Sequence, residues 1–424
     1  MKKRIPSGKD IREMARKLLG EKEREHENDS SHLSRPDSST RRLMSKAPEL
    51  QWGRLEKARA DSVLIFIFED SIDDGDEISN LCESLGLEIL SIRKVARPRN
   101  IDPGKYFKQG NLESFKQQVL SQEPSVLVFD CPFRPTQVRE LENYFKKPVL
   151  DREGVILSIF KQNAQTHMAK LQVELAELKY LQPRLTGIWE GLSRQRGGAG
   201  GMKGRGGGEK QLELDRRNIK SRIQKLNKKL ELVEKSHQEQ SRKRRSCLSC
   251  ALVGYTNAGK STLMKQLSHF SAKSEDKLFS TLDTTVKTMR LEWPDRVLVS
   301  DTVGFVRDLP HDLVASFRST LDEAVKSDVL FHVMDASSPF WREQLESVDD
   351  VLKELKAPIE RRFFVLNKVD LVKDSPGLLL QMKLQLKNRP HIGIVEVSAS
   401  EGQGVDVLKK DVLQFFHGYK KTYA

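Results

Sequence analysis

The stretch GYTNAGKST, residues 254–262, follows the apolar run CLSCALV, residues 247–253, and has the form G-x-x-x-x-G-K-[ST] at the end of an expected strand. Glycines at this spacing let the backbone curl until successive N–H groups face phosphate oxygens. The lysine adds a compact positive charge, and the hydroxyl after it can face Mg²⁺. Gly254, Tyr255, Thr256, Asn257, Ala258, Gly259, Lys260, Ser261 and Thr262 are therefore candidates for a nucleoside triphosphate site, with Ser261 as a Mg²⁺ ligand.

The base is decided downstream. Asp301, Thr302, Val303 and Gly304 close the apolar run 297–299, bringing a carboxylate to the outer shell of Mg²⁺ through a water and a glycine amide to the γ-phosphate. Asn367, Lys368, Val369 and Asp370 close the run 363–366, and Ser398, Ala399 and Ser400 close the run 394–397. An aspartate at 370 can accept from the N1–H and N2–H₂ of guanine, a donor pair adenine lacks, while the 398–400 backbone can donate to guanine O6. Each element falls at the carboxyl end of an expected strand, where open α/β sheets bind their ligands. GTP is the expected ligand, and its hydrolysis to GDP and phosphate the expected reaction. The last Mg²⁺ oxygen should come from the Thr-rich segment 279–285, within which spacing alone does not choose among the threonines.

The segments GYTNAGKST, FSTLD (279–283) and DTVGFVRDLPH (301–311) together resemble the HflX family of translation-associated GTPases. The likeness extends upstream through LQVELAELKY (171–180), PRLTG (183–187) and GGGEKQLELDRR (206–217), covering roughly residues 60 to 416. It implies that Thr281 ligates Mg²⁺ and that Phe279, Ser280, Leu282 and Asp283 line the GTP site beside it. Phe305 occupies the position where Ras-like enzymes carry a water-orienting glutamine. Hydrolysis by the chain alone should be slow, and the family shares this replacement. Asn257 sits where some related GTPases help to bind K⁺, which makes K⁺ a candidate second cation. His311 is a weaker candidate for placing the water.

The chain has 424 residues and a formal charge of +13, which points to a polyanionic partner. Residues 161–245 hold 21 Lys or Arg against 9 Asp or Glu, a local excess of 12 that accounts for nearly all of it. Leu171, Leu175 and Leu178 begin one helical stripe, and Ile219, Ile223, Leu226, Leu230 and Val233 form another. The pair predicts an antiparallel hairpin. Between them runs a glycine-rich stretch, 197–208, expected to be a flexible loop. Arg194, Arg196, Lys203, Arg205 and Lys210 stud or flank it and are candidate rRNA contacts. The resemblance implies that this hairpin and the amino-terminal region engage the large ribosomal subunit and its rRNA.

Residues 61–158 alternate apolar runs (63–68, 126–129) with helical stretches (78–85, 111–120), predicting a small α/β domain. The family attributes ATP affinity to this domain, but Lys108 to Asn111 and Cys131-Pro132 depart from its pattern, and no ATP site is assigned. Residues 1–60 are polar, serine-rich between 30 and 45, and expected to be disordered. Cys247 and Cys250 have zinc-like spacing without a second pair, and buried structural thiols are expected. No run approaches the ~20 apolar residues of a membrane span.

The expected fold class is α/β: a carboxyl-terminal P-loop GTPase domain of the Ras-like kind (247–424), preceded by the small α/β domain (61–158) and an antiparallel helical, coiled-coil hairpin (159–246). The last helix is expected at 405–416, with no additional carboxyl-terminal domain after it. A cytoplasmic monomer is expected, with loose attachment to a membrane surface left open. The resemblance implies a role in splitting or rescuing stalled or stressed ribosomes, with hydrolysis stimulated by the ribosome. The alternatives are a GTPase of subunit assembly or RNA processing, and a signalling switch with a protein or membrane-surface partner.

Overall fold

In strand β1 (Ser62–Phe68) every residue after Ser62 is apolar and buried, the pattern of a strand covered on both faces. A computed structural model describes residues 62–184, 205–243, 247–268, 279, 285–290, 296–307 and 318–423. The 1–60 tail lies outside the described residues.

The first part alternates strands and helices: β1, α1 (Asp76–Ser84), β2 (Glu88–Val95), α2 (Gln109–Gln122), β3 (Val126–Phe129), α3 (Pro135–Phe145), β4 (Val149–Asp151) and α4 (Arg152–Asn163). The four strands are parallel, in the order β2-β1-β3-β4. One face packs Leu64 and Phe66 against Leu112, Phe115, Val138 and Leu141, with the Phe66 and Phe129 rings stacked at 4.5 Å. The strand order reverses between β1 and β3, so the carboxyl ends of those strands flank a crevice.

Helix α4 starts where β4 stops because the Asp151 carboxylate caps it, accepting from the Gly154 N–H at 2.9 Å. The domain boundary expected after residue 158 falls inside this helix. Its stretch Gly154–Phe160 is buried throughout, because neighbours cover it on all sides.

The hairpin consists of α5 (His167–Leu181) and α6 (Arg205–Lys243). Leu171, Leu175 and Leu178 pack against Leu226 and Leu230, with Ile219, Ile223 and Val233 at the margin. Arg222 Nε donates to Glu174 at 2.7 Å across the seam. One expectation is corrected: Arg205 and Gly206 to Gly208, read as part of a flexible loop, form the first turn of α6. Glycine costs ~1 kcal/mol per residue in a helix, but extending an established 39-residue helix needs no new nucleus.

The second sheet comprises β5 (Leu248–Gly254), β6 (Thr285–Arg290), β7 (Arg296–Asp301), β8 (Val329–Asp335), β9 (Arg362–Asn367) and β10 (Gly393–Glu396), in the order β10-β9-β8-β5-β7-β6. Only β6 is antiparallel to its neighbour. Helices α7 (Lys260–Ser268) and α11 (Val405–Tyr423) cover one face, and α8 (Arg318–Lys326) and α9 (Trp341–Glu354) the other. Helix α10 (Pro376–Leu386) closes the β9 side through Met382 and Leu386. Cys250 is fully buried in β5, whereas Cys247, expected to be buried too, is half-buried just before the strand.

Candidate functional site

The phosphate loop leaves β5 where the sheet reverses toward β8. Gly254 has φ +149°, and a Cβ there would lie 2.2 Å from the Val333 carbonyl oxygen; only glycine fits that approach. At Gly259, φ is +88° and a Cβ would lie 2.2 Å from Asn367 Nδ2. Between them Asn257 adopts φ +60° and is exposed, while Ala258 is buried.

Lys260 is the first residue of α7 and is buried. Its ammonium folds back along the loop, donating to the carbonyls of Tyr255 at 2.8 Å and Gly254 at 3.0 Å. Burial lowers its pKa to about 8, against the opposing pull of the Asp301 carboxylate. Ser261 Oγ donates to Asp301 Oδ2 at 2.7 Å. The structure thus joins a hydroxyl and a carboxylate of the kind that suits a hard divalent ion. Among the described residues no group of three or more His, Cys, Asp or Glu side chains is placed to hold a metal.

Asn367 ties three loops together. Its Nδ2 donates to the Ala258 carbonyl at 2.8 Å and its Oδ1 accepts from the Ala399 N–H at 2.9 Å. Lys368, at φ +62°, reaches Asp335 at 2.7 Å. Asp370 Oδ1 is buried and accepts no hydrogen bond among the described residues; an orphaned carboxylate oxygen is costly unless a ligand supplies its donor. Ser398 Oγ and Ser400 Oγ lie 3.1 Å apart. Val369 packs inward below the loop.

Other members of the expected set do different work. Thr302 Oγ1 donates to the Leu252 carbonyl at 2.6 Å and is wholly buried, locking β7 to β5. Val303 is buried beside it. Phe305 does not face the loop's phosphate side: its ring is buried among Ala251, Val253, Tyr255 and Leu321. Its backbone pairs with the phosphate loop, Phe305 N to Gly254 O at 3.1 Å and Thr256 N to Phe305 O at 2.7 Å. Phe279 is buried at φ +53°, its ring edge-on to Phe160 at 4.7 Å and its carbonyl accepting from Asn163 Nδ2 at 3.1 Å. Ser280, Thr281, Leu282, Asp283 and His311 lie outside the described residues, as do Arg194, Arg196 and Lys203. Arg205 and Lys210 lie on α6.

Three contributors escaped the sequence reading. Gln266 Nε2 on α7 donates to the Ala399 carbonyl at 3.0 Å, steadying the 398–400 turn. Asp335, at the end of β8, anchors Lys368. The third is a group of charges from the amino-terminal domain, Glu77 among them, that reaches Tyr255.

Three family descriptions match successive parts of the chain: "GTP-binding GTPase N-terminal" over 73–161, "GTP-binding GTPase Middle Region" over 163–245 and "50S ribosome-binding GTPase" over 249–368. The chain is 43% identical to the GTPase HflX of Magnetococcus marinus over 80% of this chain and 76% of that one. It is 38% identical to that of Escherichia coli over 83% of this chain and 82% of the relative. The chain belongs to the HflX family of GTPases. Like other HflX proteins it binds and hydrolyses GTP. The GTPase HflX of Caldanaerobacter subterraneus is 38% identical over 87% of the chain and 85% of its own length. Among solved structures, a GTP-binding protein from Sulfolobus solfataricus in complex with GDP aligns over 84% of this chain and 98% of its own, with 25% identity and a TM-score of 0.46.

Proposed function

We propose that this HflX GTPase associates with the large ribosomal subunit through its basic hairpin, and that its GTP cycle serves to split or rescue stalled or stressed ribosomes. The observation that carries this reading is the hairpin itself: two helices packed through leucines, set in a segment with an excess of 12 positive charges. Such charge favours a phosphate backbone through counterion release. The match of residues 249–368 to a family described as 50S ribosome-binding supports the same partner. Arg194, Arg196, Lys203, Arg205 and Lys210 are the proposed rRNA contacts.

In the GTP site, residues 254–262 would cradle the phosphates, Asp370 would select guanine, and Ser261 and Thr281 would hold Mg²⁺, with Asp301, which accepts from Ser261, behind them. Bound there, Mg²⁺ neutralises charge on the β- and γ-phosphates. Lys260 places a charge on the same oxygens, and the residues around Phe305 leave the attacking water to a group supplied from elsewhere. K⁺ near Asn257 is one such source and the ribosome another. No helix among the described residues is long and apolar enough to cross a membrane, and the proposed place of action is the cytoplasm, as a monomer.

The test is the steady-state GTP hydrolysis rate of the full chain, alone and with mature large subunits at fixed salt. Stimulation of about tenfold or more, at least ~1.4 kcal/mol off the barrier, is expected. An unchanged rate, with binding to subunits that survives RNase, would overturn the rRNA reading.

A further inference from the structure

A cluster of charges outside the nucleotide loops joins the amino-terminal domain to the phosphate loop. Glu77 on α1 accepts a hydrogen bond from the Tyr255 hydroxyl and pairs with Arg152 at the start of α4. The Tyr255 hydroxyl in turn accepts from the Arg307 backbone N–H at 2.7 Å, and Arg152 Nε donates to the Arg307 carbonyl at 3.2 Å. Arg307 Nη2 reaches Asp73 at 3.4 Å and Asp130 at 3.3 Å; Arg152 Nη1 reaches Asp130 at 2.7 Å. Asp73 follows β1 and Asp130 follows β3, so these carboxylates line the crevice where the first sheet reverses. What that crevice holds is an arginine from the GTPase domain.

Arg307 stands three residues after Gly304, and its position bears on the γ-phosphate. A Cβ placed on Gly304 would lie 3.0 Å from Lys260 Nζ and 2.8 Å from Thr256 Cγ2. Gly304 is thus packed closely against Thr256 and the Lys260 ammonium, on the side of the loop where a γ-phosphate would meet that ammonium. The turn it would meet there, 304–307, is tied to the loop by the Thr256 N to Phe305 O bond at 2.7 Å and by the Arg307 N–H on the Tyr255 hydroxyl at 2.7 Å. GDP lacks the group that meets this turn.

We propose that Glu77, contributed by a different domain, is a positioning residue for the GTPase reaction: through the Tyr255 hydroxyl and the Arg307 backbone it holds the phosphate loop against the 304–307 turn and so sets the balance between GDP and GTP binding. This rests on the GTPase activity and is independent of the ribosomal partner.

The experiment uses the full chain carrying Glu77→Gln, Tyr255→Phe or both. Equilibrium binding of fluorescent GDP and of a non-hydrolysable GTP analogue is measured together with kcat and KM for GTP. Each single change is expected to raise the ratio of analogue to GDP affinity about tenfold, or ~1.4 kcal/mol, and to lower KM while kcat shifts less than twofold. The double variant should do no more than the larger single one, since both remove one linkage. Tyr255→Phe deletes one oxygen and keeps the ring in its apolar cluster, so it decides the matter if Glu77→Gln fails to fold. Lys94→Ala, which breaks the exposed pair with Asp74 in the same domain, should leave the ratio unchanged. An unchanged or lowered ratio in Tyr255→Phe, or additive effects in the double variant, would overturn the proposal.

Discussion

Asp370 and Lys260 show how burial prepares single side chains for a ligand. The buried Asp370 Oδ1 has no donor among the described residues, and guanine offers two. Hydrogen bonds to a charged group contribute ~1.5–3 kcal/mol each, so Asp370→Asn should weaken GTP binding about a hundredfold. The same change should favour xanthosine triphosphate, which presents a carbonyl where guanine has its amine; competition binding of the two nucleotides reads this out, and retained GTP preference would exclude the contact. For Lys260 the sign follows from its lowered pKa of about 8, caused first by burial. Phosphate binding favours the charged form, so above pH 8 the free protein must take up a proton to bind. GDP affinity should fall about tenfold from pH 7 to pH 9, with proton uptake visible by calorimetry in buffers of different ionisation enthalpy. A flat profile would remove Lys260 from the phosphates. These residues were legible because their roles are local: each sits at a fixed offset from a glycine or a strand end. Phe305 was legible only as a departure. Its burial in the β5 core explains the apolar side chain, and nothing in the motif announces that environment.

At the scale of elements, strands read well because unbroken apolar runs have few other uses; the runs 126–129 and 363–366 fall within β3 and β9. Helix ends read less well. The glycines at 206–208 argued for a loop on local propensity, and α6 overrides it by continuing a long helix. The stripes of α5 and α6 were visible as spacing, and the packed pair gives them a consequence. Leu226 is fully buried in the seam, and Leu226→Asp would place an unpaired charge there. The hairpin should open, lowering affinity for large subunits by at least about tenfold, while the rate of GTP hydrolysis by the chain alone stays within twofold. Sedimentation with purified subunits and a parallel phosphate-release assay separate the two effects. Parallel loss of both activities would mean that the hairpin supports the GTPase fold itself.

For the whole molecule, the order of parts was legible and their meeting was not. Composition placed the basic segment between two α/β regions, and the strand-end motifs located the nucleotide site. Nothing local marks Glu77 as a partner of Tyr255: the two are 178 residues apart, and Tyr255 occupies a variable position of its motif. Asp73, Asp130 and Arg152 likewise look like ordinary surface charges at helix and strand ends. The contacts of Asp73 and Asp130 with Arg307 exist only once the two domains touch.

That separation along the chain carries a consequence for how the molecule is made. The first sheet is complete by residue 151, so its domain can fold as it leaves the tunnel, well before Arg307 is synthesised. Until then Glu77 and Asp130 share the guanidinium of Arg152, and Asp73 lacks the Arg307 guanidinium it meets in the complete chain. The Arg307 contacts close loops of 230 and 234 residues, and contacts of such range are late events in folding. The nascent amino-terminal domain thus passes through a stage with an acidic, half-compensated mouth. The docking of the GTPase domain, and with it the first correctly set phosphate loop, should be the last step in the maturation of the chain.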